Sequence, residues 1–239
     1  MDCNAIPAHI GPRPTVLKEP QMSRFSVVFA ACLGAVIACA GAEPVQAGTL
    51  LQDAALSRQL FETGRQANDP LLIIAAAKLR KSLDFQETDR APDAATAGAT
   101  AASAARLPHL DADEMLDVAA TLAVENEVLL GLIDDVRFST SKGVVDGPLY
   151  SISKLRSGGA DTYQALPFEG GTYADIYVEG REDADLNLYV FDAQNRLVCS
   201  DTDLSDIAYC GWRPQATADF TIKVENQGPS LSTYSLITN

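Results

Sequence analysis

The apolar positions of residues 48–90 follow two short helical patterns with a break between them. The break is an Asn-Asp-Pro segment, in which Asp69 is a favoured N-cap and Pro70 suits the first helical position. The second pattern has a spacing of 3.6 residues and positive charges near its end, where they complement the helix dipole. Residues 48–90 are therefore predicted to form a helical hairpin. The apolar positions are Leu50, Ala54, Leu60 and Phe61, then Leu72, Ala76, Leu79 and Leu83.

A longer helical pattern over residues 111–136 predicts a third helix, which together with its connector occupies residues 108–143. Asp111 and Glu114 have the spacing of a capping box. Asn126 falls on the apolar stripe, where it either sets the register with a partner helix or finds a local hydrogen-bond partner within a packed three-helix unit. The stripe consists of Met115, Val118, Leu122, Leu129, Ile133 and Val136.

Between these helices lies a segment rich in Ala, residues 91–107. Its low complexity favours a flexible linker. Because Ala is the best helix former, an extension of a helix is the alternative.

From residue 144 onward, short runs rich in β-branched and aromatic residues alternate with turn residues. Runs at intervals of about ten residues are typical of an all-β sandwich. Residues 186–190 and 220–224 alternate apolar with polar side chains, which indicates one buried and one solvated face. The predicted fold class is α+β in two parts, a helical region followed by an all-β sandwich over residues 144–239. The runs are 150–155, 162–166, 172–178, 185–191, 196–199, 207–212, 220–224 and 234–237.

The first 47 residues contain the parts of a secretory signal peptide. An uncharged apolar stretch, residues 25–42, follows a short start that carries one positive charge at Arg24, and a small-residue cleavage site follows the stretch. Translation is expected to begin at Met22, with an upstream extension before it, and cleavage is expected after Ala47. The mature protein is then periplasmic or secreted.

Two alternatives to a cleaved signal peptide stay open. Residues 36–39, Val-Ile-Ala-Cys, resemble a lipobox, so the protein could be a lipoprotein anchored through Cys39. The uncharged stretch also reaches the lower length limit of a membrane span. Its small residues and the following cleavage site favour removal, and no span is expected after cleavage.

The whole chain has 18 Lys and Arg against 32 Asp and Glu, a formal net charge of −14. Removing residues 1–47 leaves 15 basic and 29 acidic residues. A strongly acidic protein lacks the cations that replace counterions on a polyphosphate, so nucleic acid is excluded as a general partner.

Five Cys are present, and the predicted cleavage removes Cys3, Cys32 and Cys39. An exported chain with one remaining pair, Cys199 and Cys210, is a candidate for a single disulfide, two buried thiols being the alternative.

Two segments of the β-rich region carry a specific pattern. They are DADLNLYVFDAQNRLVCSDTD, residues 183–203, and FTIKVENQGPSLSTYSL, residues 220–236. Residues 145–239 thereby resemble the bacterial pre-peptidase C-terminal domain, and the resemblance implies a jelly-roll-like sandwich that binds a substrate or surface and in some members calcium. The chain departs from the family in having helices rather than a peptidase upstream, and in having Asn187 where the family usually has an acid. The segment 69–79, DPLLIIAAAKL, resembles the leading region of exported proteobacterial proteins with the same tail domain.

Acidic residues concentrate between residues 179 and 206. Ca²⁺ takes six to eight oxygen ligands, so carboxylates without neighbouring cations are candidate ligands. The alternative is a set of solvated turn carboxylates. The candidate calcium ligands are Asp183, Asp185, Asp201 and Asp203.

After the predicted cleavage site the chain has one His, His109, and no nucleophile elbow, phosphate-binding loop or dinucleotide motif. We therefore expect no catalysis and no cofactor other than calcium. The predicted function is a non-catalytic exported binding protein whose partner is a protein, peptide or glycan of the cell envelope. The alternative is an accessory or regulatory factor of a secreted or periplasmic peptidase. The sequence leaves the oligomeric state open.

Overall fold

The computed structural model describes residues 49–93, 109–139, 147–181 and 184–239. These residues belong to one compact unit. The predicted signal peptide with Cys39, residues 94–107 of the predicted linker, and Asp183 lie outside the described residues. Within the described ranges, no helix is both long enough and apolar enough to cross a membrane.

Helices α1 (Leu50–Ala67) and α2 (Pro70–Lys81) confirm the two helices expected within residues 48–90. Asn68 ends α1 in the left-handed conformation, with φ of 51°. Asp69 then caps α2, because its side chain accepts hydrogen bonds from the first backbone N–H groups of that helix. The chain therefore reverses over two residues, as the Asn-Asp-Pro segment predicts.

The expectation of one continuous third helix is wrong, since the structure has two helices, α3 (Ala112–Leu122) and α4 (Glu127–Phe138). Asn126 is the N-cap of α4, and its side chain accepts a hydrogen bond from the backbone N–H of Leu129 at 3.1 Å. A cap residue has an extended backbone, which interrupts the helix. The hydrogen bond of Asn126 is thus local, but it belongs to a helix start and not to an apolar stripe. Asp111 caps α3 in the predicted capping box with Glu114.

All four helices contribute to one apolar core. Burying these side chains removes apolar surface from water and is the main stabilisation of such short helices. The core includes Phe61, Ile73, Met115, Leu116 and Ile133.

Two sheets form the sandwich, and the predicted fold class is confirmed. All strand pairs are antiparallel except β1 with β2, and β1 is a two-residue strand that the sequence pattern does not predict. The five-stranded sheet has the order β1 (Gln86–Glu87), β2 (Leu149–Leu155), β9 (Ser232–Thr238), β4 (Ala174–Glu179), β7 (Ile207–Trp212). The four-stranded sheet has the order β3 (Ala160–Phe168), β8 (Ala218–Asn226), β5 (Leu186–Phe191), β6 (Leu197–Asp201).

The space between the two sheets holds the largest apolar core. The alternation predicted for residues 220–224 is confirmed, because Phe220, Ile222 and Val224 are buried and the residues between them are partly exposed. Cys199 of β6 and Cys210 of β7 form the predicted disulfide, with Cα atoms 5.9 Å apart. Because β6 and β7 belong to different sheets, the disulfide ties the two sheets together.

The other face of the five-stranded sheet is covered by helices. Leu51 and Ala54 of α1 and Leu83, which follows α2, pack against Tyr177 and Ile237 of the sheet. Strand β4 is consequently buried on both faces, since all six of its residues are buried. The helices, the five-stranded sheet and the four-stranded sheet are thus three stacked layers.

Candidate binding cleft

The helices are held on the sheet by a buried carboxylate, Glu179, at the end of β4. Arg80 of α2 donates a hydrogen bond to Oε2 at 2.8 Å, and the backbone N–H of Leu110 donates to Oε1 at 3.0 Å. Arg58 of α1 lies 3.7 Å from the same carboxylate. Burial alone raises the pKa of Glu179, but the charges of Arg80 and Arg58 outweigh it and hold that pKa below its usual value. Glu179 therefore stays ionised and joins α1, α2 and the segment before α3 to one strand.

Arg80 uses its remaining donors on α1. Its Nε donates to Ser57 Oγ at 3.2 Å, and its Nη2 donates to the carbonyl oxygen of Ala54 at 3.1 Å. A buried guanidinium with all its groups bonded in this way has a fixed position.

Next to this network, a cleft of about 820 Å³ opens between the helices and the sandwich. Its walls come from α1, from α3 with the residue before its cap, and from two loops of the sandwich, one before β5 and one before β7. The lining residues are Arg58, Phe61, Glu62, Arg65, Leu110, Glu114, Val118, Arg181, Ala184, Leu204, Ser205 and Asp206.

Ion pairs fix several of the polar side chains in the cleft. Arg58 bridges Asp206 of the sandwich loop and Glu62 of its own helix. Arg181 pairs with Glu114 of α3. The pKa of Asp206 is raised above its usual value, first of all because the group is buried. The charge of Arg58 lowers this pKa, and the charges of Glu179 and Glu62 raise it. The Arg58–Asp206 and Arg181–Glu114 pairs each join a helix to a loop of the sandwich, so they connect opposite walls of the cleft.

The rest of the lining is apolar or exposed. Phe61 and Leu110 are buried at the base of the cleft, and Arg65 lies over the ring of Phe61, with 5.7 Å between its Cζ and the ring centroid. Leu204 is 92 % exposed. The cleft therefore offers fixed charges, a small apolar base and an uncovered Leu side chain on one wall.

The acidic loop proposed for calcium adjoins this cleft. Asp203 has a raised pKa, caused first by burial and then by the charges of Asp201 and Asp185, so these three carboxylates lie near one another. Asp201 also accepts a hydrogen bond from the backbone N–H of Tyr209 at 2.8 Å. Among the described residues, which exclude Asp183, no group of three His, Cys, Asp or Glu side chains is arranged to hold a metal ion. Calcium binding stays a prediction.

His109 is buried between the helices and the five-stranded sheet. Its Nδ1 shares a hydrogen bond of 2.8 Å with Ser235 Oγ, and its ring contacts the rings of Phe85 and Tyr150 edge-on. Burial lowers the pKa of His109 to about 4, so the ring is neutral near neutral pH.

Two aromatic side chains of the sandwich are in its layers and not on its surface. Trp212 packs against Phe168 and Phe220, with ring centroids 4.8 and 5.2 Å away. Tyr177 is fully buried under the helices. Neither side chain can act as an exposed platform for a sugar ring.

The pattern of the sequence does not reveal the ion pairs of the cleft. The partners Arg80 and Glu179 are 99 residues apart, and Arg58 and Asp206 are 148 residues apart. One signal was available: Arg80 follows the buried Ala76 and Ala77 at helical spacing and so continues the buried face of α2.

No family model matches the sequence, and no curated protein matches it. The chain is similar to PliG of Aeromonas hydrophila, a periplasmic inhibitor of g-type lysozyme, at 13 % identity over 38 % of this chain and 84 % of that one, with a TM-score of 0.32. It is similar to the pre-peptidase C-terminal domain of a Bacillus anthracis collagenase at 13 % identity over 38 % of this chain and 90 % of that one, with a TM-score of 0.31. The C-terminal CBM6 of LamC from Zobellia galactanivorans matches at 9 % identity over 36 % and 80 %, with a TM-score of 0.25. TM-scores this low carry no argument about function, so an assignment rests on the residues of the chain itself.

Proposed function

We propose that this protein is a non-catalytic, extracytoplasmic binding protein whose cleft between the helices and the sandwich holds an extended segment of a partner protein or peptide. The observation that carries the proposal is the lining of the cleft, in which fixed charges of both signs surround a small apolar base. A peptide supplies matching charges, backbone hydrogen-bonding groups and apolar side chains at short intervals. The disulfide supports a location outside the cytoplasm, where such bonds persist.

The chemistry of the lining supports binding over catalysis. Glu62, Glu114 and Asp206 each form an ion pair with an Arg, so their carboxylates are engaged within the protein. Ser205 accepts a hydrogen bond from the backbone N–H of Ile207, and His109 does not line the cleft.

A peptide fits the cleft better than a glycan does. Sugar rings stack on exposed aromatic faces, and the aromatic ring that lines the cleft, Phe61, is buried and faces Arg65. The charged groups of the cleft are also better matched to a charged polypeptide than to a neutral sugar chain.

A photo-crosslinking experiment tests this function. The mature chain carrying a photoreactive amino acid at Leu204, which is 92 % exposed at the cleft, is mixed with envelope extract and illuminated. The control carries the same group at Leu197, which is 55 % exposed at the far end of β6. We expect protein adducts at position 204 that are absent at 197, and we expect the added Arg65→Glu substitution to reduce them.

Equal adducts at both positions, or adducts that persist with Arg65→Glu, would contradict a peptide-binding cleft. Adducts that contain sugar and no protein would favour the glycan partner. A peptidase among the adducts would support the alternative role as an accessory factor, which otherwise stays a prediction.

A further inference from the structure

A second pocket lies at the open edge of the sandwich, away from the cleft and built from different residues. The chain that follows β1 leads to this pocket. The backbone N–H of Thr88 donates a hydrogen bond of 2.8 Å to the carbonyl oxygen of Tyr150 in β2. The backbone N–H of Asp93 donates a hydrogen bond of 2.8 Å to the carbonyl oxygen of Thr162 in β3. Residues 88–93 thus cross from the five-stranded sheet to the four-stranded sheet. The pocket has a volume of about 450 Å³ and lies beneath this crossing.

Arg90 lies in the middle of this crossing and lines the pocket. Its guanidinium makes fewer hydrogen bonds than it has donors. Its Nη2 donates to Thr238 Oγ1 at 3.3 Å, a long hydrogen bond. Its Nη1 is shielded from solvent and has no hydrogen-bond partner among the described residues. Burial lowers the pKa of Arg90, although a guanidinium stays charged at any physiological pH.

Among the residues that the structure describes, the two buried guanidinium groups, those of Arg58 and Arg80, are neutralised. Arg58 and Arg80 both pair with Glu179, and Arg58 also pairs with Asp206. No ion pair of Arg90 is found among the described residues, although acidic residues outnumber basic ones in this chain. A partly buried cation without a counter-ion is costly, and an anion entering the pocket would remove that cost.

The remainder of the pocket combines apolar and polar residues and contains a strained residue. Leu149 and Phe168 belong to its wall, and Ala165 adopts φ of 54° at the bulge in β3 between Tyr163 and Leu166. A left-handed Ala is uncommon, and such residues cluster at binding sites. The bulge therefore lies in the wall of the pocket.

We propose that this pocket binds a monocarboxylate with a short apolar substituent, the carboxylate on the Arg90 guanidinium and the apolar group against Leu149 and Phe168. The planar fork of Arg matches the two oxygens of a carboxylate, and the long Arg side chain can turn Nη1 toward them. A single cation, with Asp93 also in the lining, fits a monoanion better than a phosphate dianion. The carboxylate can come from a free aliphatic acid or from the C-terminus of a peptide.

Calorimetric titration of the mature chain with hexanoate and with N-acetylleucine separates these sources, with hexanamide and N-acetylleucine amide as uncharged controls. We expect saturable binding of at least one acid and binding of its amide that is weaker by roughly tenfold to a hundredfold, because a charge-assisted hydrogen bond is lost. The Arg90→Gln substitution should weaken binding of the acid by a similar factor. Arg156→Gln, an exposed Arg at the opposite end of β2, should leave binding unchanged.

A second variant guards against a folding defect in Arg90→Gln. Leu149 is 39 % exposed, so the Leu149→Glu variant should fold. The introduced carboxylate should compete with the ligand for Arg90. Binding of the acid should therefore be weakened at least as much as in Arg90→Gln. Hexanoate binding without N-acetylleucine binding identifies a free acid, and the reverse identifies a peptide C-terminus. Absence of saturable binding to wild type, equal affinity for acid and amide, or unchanged affinity in both variants would overturn the proposal.

Discussion

The two faces of strand β4 are both buried, but they are built from different chemistry. Ala174, Ile176 and Val178 face the sandwich core, where contacts are apolar. Tyr177 and Glu179 face the helices, as does Asp175, which accepts hydrogen bonds from Thr49, the cap of α1, and from Tyr209. Apolar packing is not directional, whereas ion pairs hold only in one geometry.

The difference suggests that the two interfaces have different tasks. The apolar face stabilises the sandwich in proportion to the area it buries. A buried ion pair contributes little net stability, because desolvation offsets the attraction, but it penalises any other position of the helices. The polar face therefore determines where α1 and α2 lie, and with them the wall of the cleft.

The largest effect is expected from Glu179→Gln, which leaves Arg80 buried without its counter-ion. We expect the free energy of unfolding to fall by about 3 to 5 kcal/mol. On the opposite face, Ile176→Val should cost about 1 kcal/mol. Urea unfolding of the two variants measures both values. As a control, Glu225→Gln breaks a surface pair with Lys223 and should cost less than about 1 kcal/mol. If Glu179→Gln costs no more than this control, the polar face does not hold the helices.

The disulfide between Cys199 and Cys210 joins the two sheets that enclose the apolar core, so its removal tests the stability on that side of β4. Replacing Cys199 and Cys210 by Ala should lower the free energy of unfolding by about 3 kcal/mol, the chain-entropy value for a loop of this length. Wild type should lose a similar amount when a reductant is added, and the variant should be insensitive to reductant. A stability of wild type that reductant does not change would contradict the expectation.

The burial of His109 makes the polar face sensitive to acid. Its pKa is about 4 in the fold and about 6.5 when exposed, so between these values the unfolded chain binds the proton and the fold does not. The free energy of unfolding should therefore fall as the pH drops, by about 2 kcal/mol between pH 7.5 and pH 5 from this residue. The free energy of unfolding is measured for wild type and for His109→Gln over this pH range. The difference between the two proteins separates the contribution of His109 from that of the carboxylates. If the free energy of unfolding depends on pH in the same way in both proteins, the burial of His109 does not contribute to the acid sensitivity.

The start of α4 lies away from both interfaces, and a smaller effect is expected there. Asn126→Ala removes the cap and should cost about 1 kcal/mol. Asp134→Ala, on the exposed side of the same helix, serves as the control. Thermal unfolding followed by circular dichroism compares the two. Equal stability would mean that α4 does not depend on its cap.

The smallest effect concerns the acidic loop of the sandwich. If Asp185, Asp201 and Asp203, together with Asp183, bind calcium, millimolar calcium should raise the melting temperature by an amount that corresponds to roughly 1 kcal/mol at extracellular affinities. Asp203→Asn should abolish the increase. An unchanged melting curve in wild type would reject the calcium site.

The strands of the sandwich could be predicted because their signal is local. A period of two residues and turn residues between the runs are visible within each segment, so all eight runs correspond to observed strands. The break between α1 and α2 was equally readable from Asp69 and Pro70. The break before α4 was missed because Asn126 falls in phase with the apolar stripe, and periodicity alone cannot distinguish a cap from a buried polar residue.

The candidate sites could be predicted only in part. Cys199 and Cys210 could be identified because they are the pair that remains after the predicted cleavage. Arg80 is one of the positive charges near the end of α2, and the sequence predicts for them only a favourable interaction with the helix dipole. Nothing near Arg90 in the sequence indicates a pocket. Both side chains take their role from strands far away in the chain.

By itself the sequence determined α1, α2, strands β2 to β9, the sandwich, the acidic character and the disulfide, because each depends on short-range pattern or on counting. Only the tertiary structure decided that the helices cover the five-stranded sheet, that Glu179 is buried with two Arg residues, and that a cleft and an Arg90 pocket result. Periodicity shows which face of an element is buried, but not what it is buried against. That choice depends on the shape and charge of surfaces that exist only after the layers have formed.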